Sequence, residues 1–118
     1  MKADNQIQIL SKAFALRVIK LYVFLRDEKK EFVMSKQVLR SGTSIGANVR
    51  ESINAQSRAD FINKLNIALK EADETQYWLE LLHESGFLSD DQFQSINDDS
   101  CRLIGTLTKI IKTSENGG

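Results

Sequence analysis

The chain has 118 residues, of which 42% are hydrophobic and 27% charged, with sixteen Lys/Arg balanced by sixteen Asp/Glu. That is one domain's worth of sequence with enough apolar material for a core, and no apolar run approaches the roughly 18–20 residues that span a bilayer. The opening "MKADNQIQIL" has no signal-peptide core or cleavage site, and Cys101 as the only cysteine excludes an internal disulfide or cysteine-cluster metal site, so a reducing cytoplasmic setting is expected.

Proline is absent, turn dipeptides are few and 3.6-residue periodicity is long, which predicts an all-α chain. The first helix is predicted over about 6–27 behind Asn5 as N-cap, with Ile7, Leu10, Phe14, Val18, Leu21 and Leu25 as its inward stripe. Ile9, Leu16 and Val23 fall on the opposite face, widened by Ile19, Tyr22 and Phe24. A helix that is apolar on both sides is normally covered on both sides, and here the second cover must come from another chain. Scattered surface hydrophobes are the competing explanation.

The charged run "RDEKKE" is a turn, and the second helix is predicted over about 32–55 around Val38, Ile45 and Val49. It tolerates Gly42 and Gly46, each costing about 0.8–1 kcal/mol against alanine. Their four-residue spacing, with Ser41 close by, fits tight packing of another helix, within the subunit or from a neighbour. A phosphate-binding loop does not fit, because no strand precedes them and no Lys-Ser/Thr follows. Ser44, Asn48 and Glu51 form one polar stripe beside Ile45 and Val49.

Ser57 with Asp60 resembles a capping box for a third helix over about 59–84, whose seam is Phe61, Leu65, Ala68, Ala72, Thr75, Leu79 and Leu82, closed by Gly86. Lys64, Glu71 and Trp78 recur every seven residues beside that seam, with Glu74 one turn before Trp78. Asn48 and Glu51 are expected to bond to this row or to Arg40. Such edge groups fix register or subunit geometry, or else contact a ligand or nucleic acid. Trp78, Leu81, Ile104 and Ile111 add apolar surface off the seams. Ser89 with Gln92 opens a fourth helix over about 90–113, facing inward through Phe93, Ile96, Ser100, Leu103, Leu107 and Ile110, before a fraying "SENGG". Four helices of this length joined by short loops make an antiparallel up-down-up-down four-helix bundle, a single domain over 1–118.

Residues 1–50 carry ten Lys/Arg against four Asp/Glu, and residues 51–118 carry six against twelve. Two readings stand: complementary helices within one bundle, or a basic face for a polyanion or an acidic neighbour. On the second, Lys12, Arg17, Lys20, Arg26, Lys29, Lys30 and Lys36 are the nucleic-acid candidates. Catalysis finds little support. The Glu-x-x-His of "ELLH" is a single copy in a chain with one histidine, so the paired motifs of a di-metal bundle cannot form, and Ser/His/Asp context is missing. No cofactor, no metal and no membrane contact are expected.

The segment "QVLRSGTSIGANVRES" followed by "DFINKLNIALKEADETQYWLELLHESGFLS" resembles the 23S rRNA intervening-sequence proteins, often labelled S23 ribosomal proteins. The likeness rests on Gln37, Arg40, Ser44-Ile45, Asn48 and Glu51, then Ala68, Glu71, Glu74 and Trp78-Leu79 before Gly86, with Ser52 standing where the family often has glycine. The resemblance implies a four-helix bundle that assembles as a ring, typically a pentamer. It also implies kinship with the pentameric accessory proteins of diversity-generating retroelements, which bind nucleic acid and a reverse transcriptase. The function expected from it is a non-enzymatic homo-oligomeric binding or scaffold protein whose partner is RNA or an RNA-associated protein. Zero net charge and a pI near 6.6 favour the competing reading, a protein-interaction adaptor with no nucleic-acid role.

Overall fold

A computed structural model describes residues 2–117 and the side chains of 6–117. It consists of α1 (Lys2–Asp27), α2 (Met34–Ile53), α3 (Arg58–Glu84) and α4 (Asp90–Glu115). Each helix packs on its sequence neighbours, α4 closes back on α1, and α1 and α3 face each other across the diagonal without close backbone approach. Cross-links run antiparallel: Val18 meets Gly42 and Ser11 meets Gly46, Thr75 bonds Ser41, Gln76 bonds Ser100 and Arg17 bonds Asp99. The four-helix bundle expected from periodicity is therefore the observed fold. No helix among the described residues is long and apolar enough to cross a membrane.

The inward stripes carry the core. Val18, Leu25, Val38, Ile45, Val49, Leu79, Leu82 and Leu107 are fully buried, with Ile7, Phe14, Leu65 and Leu103 nearly so. Burying each such side chain contributes roughly 1.5–3 kcal/mol. On α1 the stripe is rolled slightly from expectation. Ser11 takes a fully buried place, while Leu10 and Leu21 are only half-buried. Ser11 is there because α2 comes close: a Cβ on Gly46 would stand 3.5 Å from the Ser11 carbonyl oxygen. Ile111, read as surface, is buried at 6% exposure and extends the α4 seam.

Several boundaries differ from the sequence reading. α1 already includes Asn5, which is therefore not its N-cap. α2 starts at Met34 rather than 32: Val33 at the N-cap position makes no side-chain cap bond, and the Glu31 side chain caps the helix from outside it. Its buried carboxylate accepts from the backbone N–H groups of Val33 (3.3 Å), Met34 (3.1 Å) and Ser35 (2.7 Å), and Ser35 Oγ donates to the Glu31 carbonyl (2.8 Å). An anionic acceptor also suits the positive end of the helix dipole. Ser57 Oγ accepts from Asp60 N as expected, but the return bond comes from Gln56 N rather than Ser57 N. The Ser89/Gln92 capping box is complete. Gly86 ends α3 at φ +90°, in the left-handed region that glycine adopts without strain. α4 continues through Glu115, so the first residues of "SENGG" are helical.

Gly42 is buried against α1 of the same subunit, the first of the two packings that its spacing allowed. A Cβ there would sit 2.8 Å from both Cγ atoms of Val18. Val18 is buried, β-branched and stiff about χ1, so it cannot swing away. Gly42→Ala is expected to destabilise the fold by about 1–3 kcal/mol despite its better helix propensity, whereas Gly46→Ala, with only ordinary contacts, should be neutral or gain up to about 1 kcal/mol. Chemical denaturation of the two variants checks this; equal effects would show that Val18 does not set the spacing.

Candidate functional site

The α2–α3 face gathers most of the polar residues singled out from the sequence. Arg40 reaches across to Glu71 (3.1 Å) and to Glu74 by a charge-paired hydrogen bond. Glu74 Oε2 also accepts from Trp78 Nε1 at 3.0 Å. Lys64 pairs with Glu51 at 3.1 Å one end of the row away. Beneath them the buried Thr75 hydroxyl donates to the Glu71 carbonyl (2.7 Å) and shares a 2.8 Å bond with Ser41 Oγ. Among the described residues no buried side-chain polar atom lacks a partner.

Asn48 does not join this network. Its Nδ2 donates to the Ser44 carbonyl of its own helix at 2.9 Å, and Ser44 Oγ donates to the Arg40 carbonyl at 2.7 Å. The Ser44 and Asn48 side chains of α2 are thus bonded one turn back, while Arg40 and Glu51 span to α3. Short polar side chains reach their own i−4 carbonyl before they reach a neighbouring helix.

The clamp sets charge states. The Trp78 N–H, with help from the Arg40 guanidinium, holds the Glu74 carboxyl below the usual glutamate range. The Glu74 carboxylate in turn raises Arg40. A carboxylate held in its ionised form between two donors is poorly suited to donating a proton near neutral pH. Among the described residues no group of three or more His, Cys, Asp or Glu could hold a metal ion. His83 bonds Asp90 (2.7 Å) and stacks flat on Phe93, tying the α3–α4 corner together.

The second face of α1 stands uncovered: Ile9 is 68% exposed, Leu16 54%, Ile19 43% and Val23 40%. Beside it a shallow groove between α1 and α2 is floored by Ser11, Ala15, Thr43, Gly46 and Ala47, with Lys12 and Arg50 at its rim. Gly46 therefore opens onto this groove, where Gly42 does not.

The seven nucleic-acid candidates do not form one basic face. Arg17 is held by Asp99 (2.6 Å) and Ser95, and Arg26 by Asp27 (2.6 Å) beside the Tyr22 ring. Lys29 lies over Phe24. Antiparallel helices also redistribute the charge split. Above the level of Val18, Gly42, Thr75 and Ser100, residues 18–41 and 75–100 hold six Lys/Arg against nine Asp/Glu. Lys20, Arg26, Lys29, Lys30 and Lys36 all lie in that acidic half, and Lys12 in the other. The cations that do align are Arg102, Lys109 and Lys112, exposed along outer α4 around the exposed Gly105. Their i, i+7, i+10 spacing was visible in the sequence but lay within the acidic second half.

The model of the "23S rRNA-intervening sequence protein" family matches residues 3–109. Among solved structures, the chain is 61% identical to a crystallised protein of unknown function from the S23 ribosomal protein family of Bacteroides thetaiotaomicron VPI-5482. The two superimpose with a TM-score of 0.92 over 93% of this chain and 98% of the other. No curated protein matches the chain.

Glu74 gives the cluster a pH signature. Its folded pKa is lowered, so its contribution is present above the ordinary glutamate value of 4.5 and is lost as pH falls through the folded value. Glu74→Gln should cost about 1 kcal/mol at pH 7, and the difference from the parent should vanish in acid. Urea titrations at pH 7 and in acid test it; a difference independent of pH would mean that the carboxylate charge is not what holds the clamp.

Proposed function

The chain belongs to the 23S rRNA-intervening sequence protein family, and from that premise we propose that it acts without catalysis as a homo-oligomeric scaffold, pentameric as the family resemblance implies, in the reducing cytoplasm. The observation that carries this is the uncovered α1 face, four large aliphatic side chains in two rows on a helix whose other side is already the core. Leaving them in water forgoes roughly 25 cal/mol for each Å² of apolar surface that a second copy would bury. The carboxylates a catalytic reading would use support the same view: Glu51, Glu71 and Glu74 are each paired with a cation.

RNA, or an RNA-associated protein, is the partner the α4 stripe favours. Arg102, Lys109 and Lys112 are exposed, and Gly105 between them has nothing within 4 Å of where its Cβ would be, so a phosphate backbone can approach the helix closely. Repeated around an oligomer, three cations per subunit give a polyanion many contacts in spite of zero net charge.

Leu16→Glu is expected to dissociate the oligomer, because a buried unpaired carboxylate costs several kcal/mol at every interface. Light scattering decides: an unchanged mass means that the second face of α1 is not the contact. Filter binding of structured RNA across salt should show affinity falling steeply with salt and weakened by Lys109→Glu. Weak binding without a salt slope would leave the adaptor function in place of the nucleic-acid one.

A further inference from the structure

An oligomer that uses one apolar face must either pair that face with its own copy or supply a second, different face; the first closes as a dimer, the second as a ring or a filament. The second face is present on this chain. Across the diagonal from α1, the outer side of α3 exposes Tyr77 (54%) and Ile67 (36%), with half-buried Leu81 beside them. α1 and α3 lie across the bundle's diagonal with no close backbone approach, so their outer sides point away from one another and cannot be satisfied within one subunit.

We infer that the outer face of α3, centred on Tyr77, receives the Ile9/Leu16/Val23 face of α1 from a second copy, joining subunits head to tail. This rests on the homo-oligomer proposed above and names the surface that completes it. The charges fit. Exposed Lys12 and Lys20 stand one turn either side of Leu16, and exposed Asp73 and Glu80 stand one turn either side of Tyr77. With Leu16 laid on Tyr77, cations and carboxylates face each other about 4.5–6 Å along the axis from the centre in either helix direction. An α1–α1 contact would instead place lysine against lysine.

The polar cluster holds this surface. Tyr77 packs edge-on against Trp78 with ring centroids 5.5 Å apart, Trp78 is bonded to Glu74, and Glu74 to Arg40 of α2. Lys12 borders the α1–α2 groove and Lys20 the α1–α4 groove, so the two cations stand on either flank of the apolar row.

Two variants each remove one face: Leu16→Glu on α1 and Tyr77→Glu on α3. Each alone is expected to be helical by circular dichroism and monomeric by light scattering. Mixed in equal amounts, they should form a one-to-one dimer and nothing larger, because one intact α1 face meets one intact α3 face. A Tyr77→Glu protein of full oligomer mass overturns the α3 assignment while a monomeric Leu16→Glu leaves the homo-oligomer standing. A Leu16→Glu protein of full mass overturns both. Should Tyr77→Glu fail to fold, the pair Asp73→Lys/Glu80→Lys replaces it. That protein is expected to dissociate and to reassemble when Lys12→Glu/Lys20→Glu is added in the same chain, and failure to reassemble overturns the pairing.

Discussion

The approach of Val18 to Gly42 governs the rest of the molecule. With both Cγ atoms 2.8 Å from where a Cβ would stand, α1 meets α2 in a roll that leaves no room for a side chain at residue 42. That roll puts Ile7, Ser11, Phe14, Val18 and Leu25 inward, and it therefore turns Ile9, Leu16 and Val23 outward. The helix is apolar on both sides, and the close contact decides which of the two stripes is left outside. α2 is gripped on both sides by small residues, Gly42 and Gly46 toward α1 and Ser41 toward Thr75, so it forms the stiff wall of the bundle. The α1–α4 contact is the sparsest, and it relies on Arg17 bridging to Ser95 and Asp99.

The long seams of α3 and α4 were legible because unbroken periodicity fixes an inward face without knowledge of the neighbours. What sequence could not supply was the identity of the neighbour. Gly42 announced a close contact, but only the fold shows that Val18 of the same chain makes it. Asn48 lay on the expected face, yet spacing along one helix does not say which acceptor is nearest, and its own i−4 carbonyl was. The start of α2 was missed because Glu31 caps from outside the helix with a long side chain folded back through a turn that needs Lys30 at φ +53°. Short N-cap residues leave a recognisable signature; a glutamate doing the same work does not.

Charge was the least legible property. The sequence divides into a basic first half and an acidic second half, but antiparallel packing places a portion of every helix at each end of the bundle. Charges far apart in the chain then meet: Arg40 with Glu71 and Glu74, Arg17 with Asp99, Lys64 with Glu51. Exposed pairs of this kind add at most about 1 kcal/mol each, so their main effect is on which surfaces remain charged. Pairing ties up Arg17 and Arg26 of α1, while Arg102, Lys109 and Lys112 stay exposed along the C-terminal half of α4.

Network and surface roles for the Arg40–Glu74–Trp78 cluster are not alternatives. An aromatic side chain that must find its rotamer during association loses conformational freedom, at a cost of about 0.5–1.5 kcal/mol. Trp78 is fixed within the single chain by a hydrogen bond to a carboxylate that Arg40 keeps in place, and Tyr77 leans on its edge. The buried Ser41–Thr75 bond anchors the same turn of α3 to α2 from below. The residues that carry the family likeness thus build a rigid strut from the core to the outer side of α3. A structural network whose last member is an exposed aromatic leaves that ring ordered on the outer side of α3 by the fold itself.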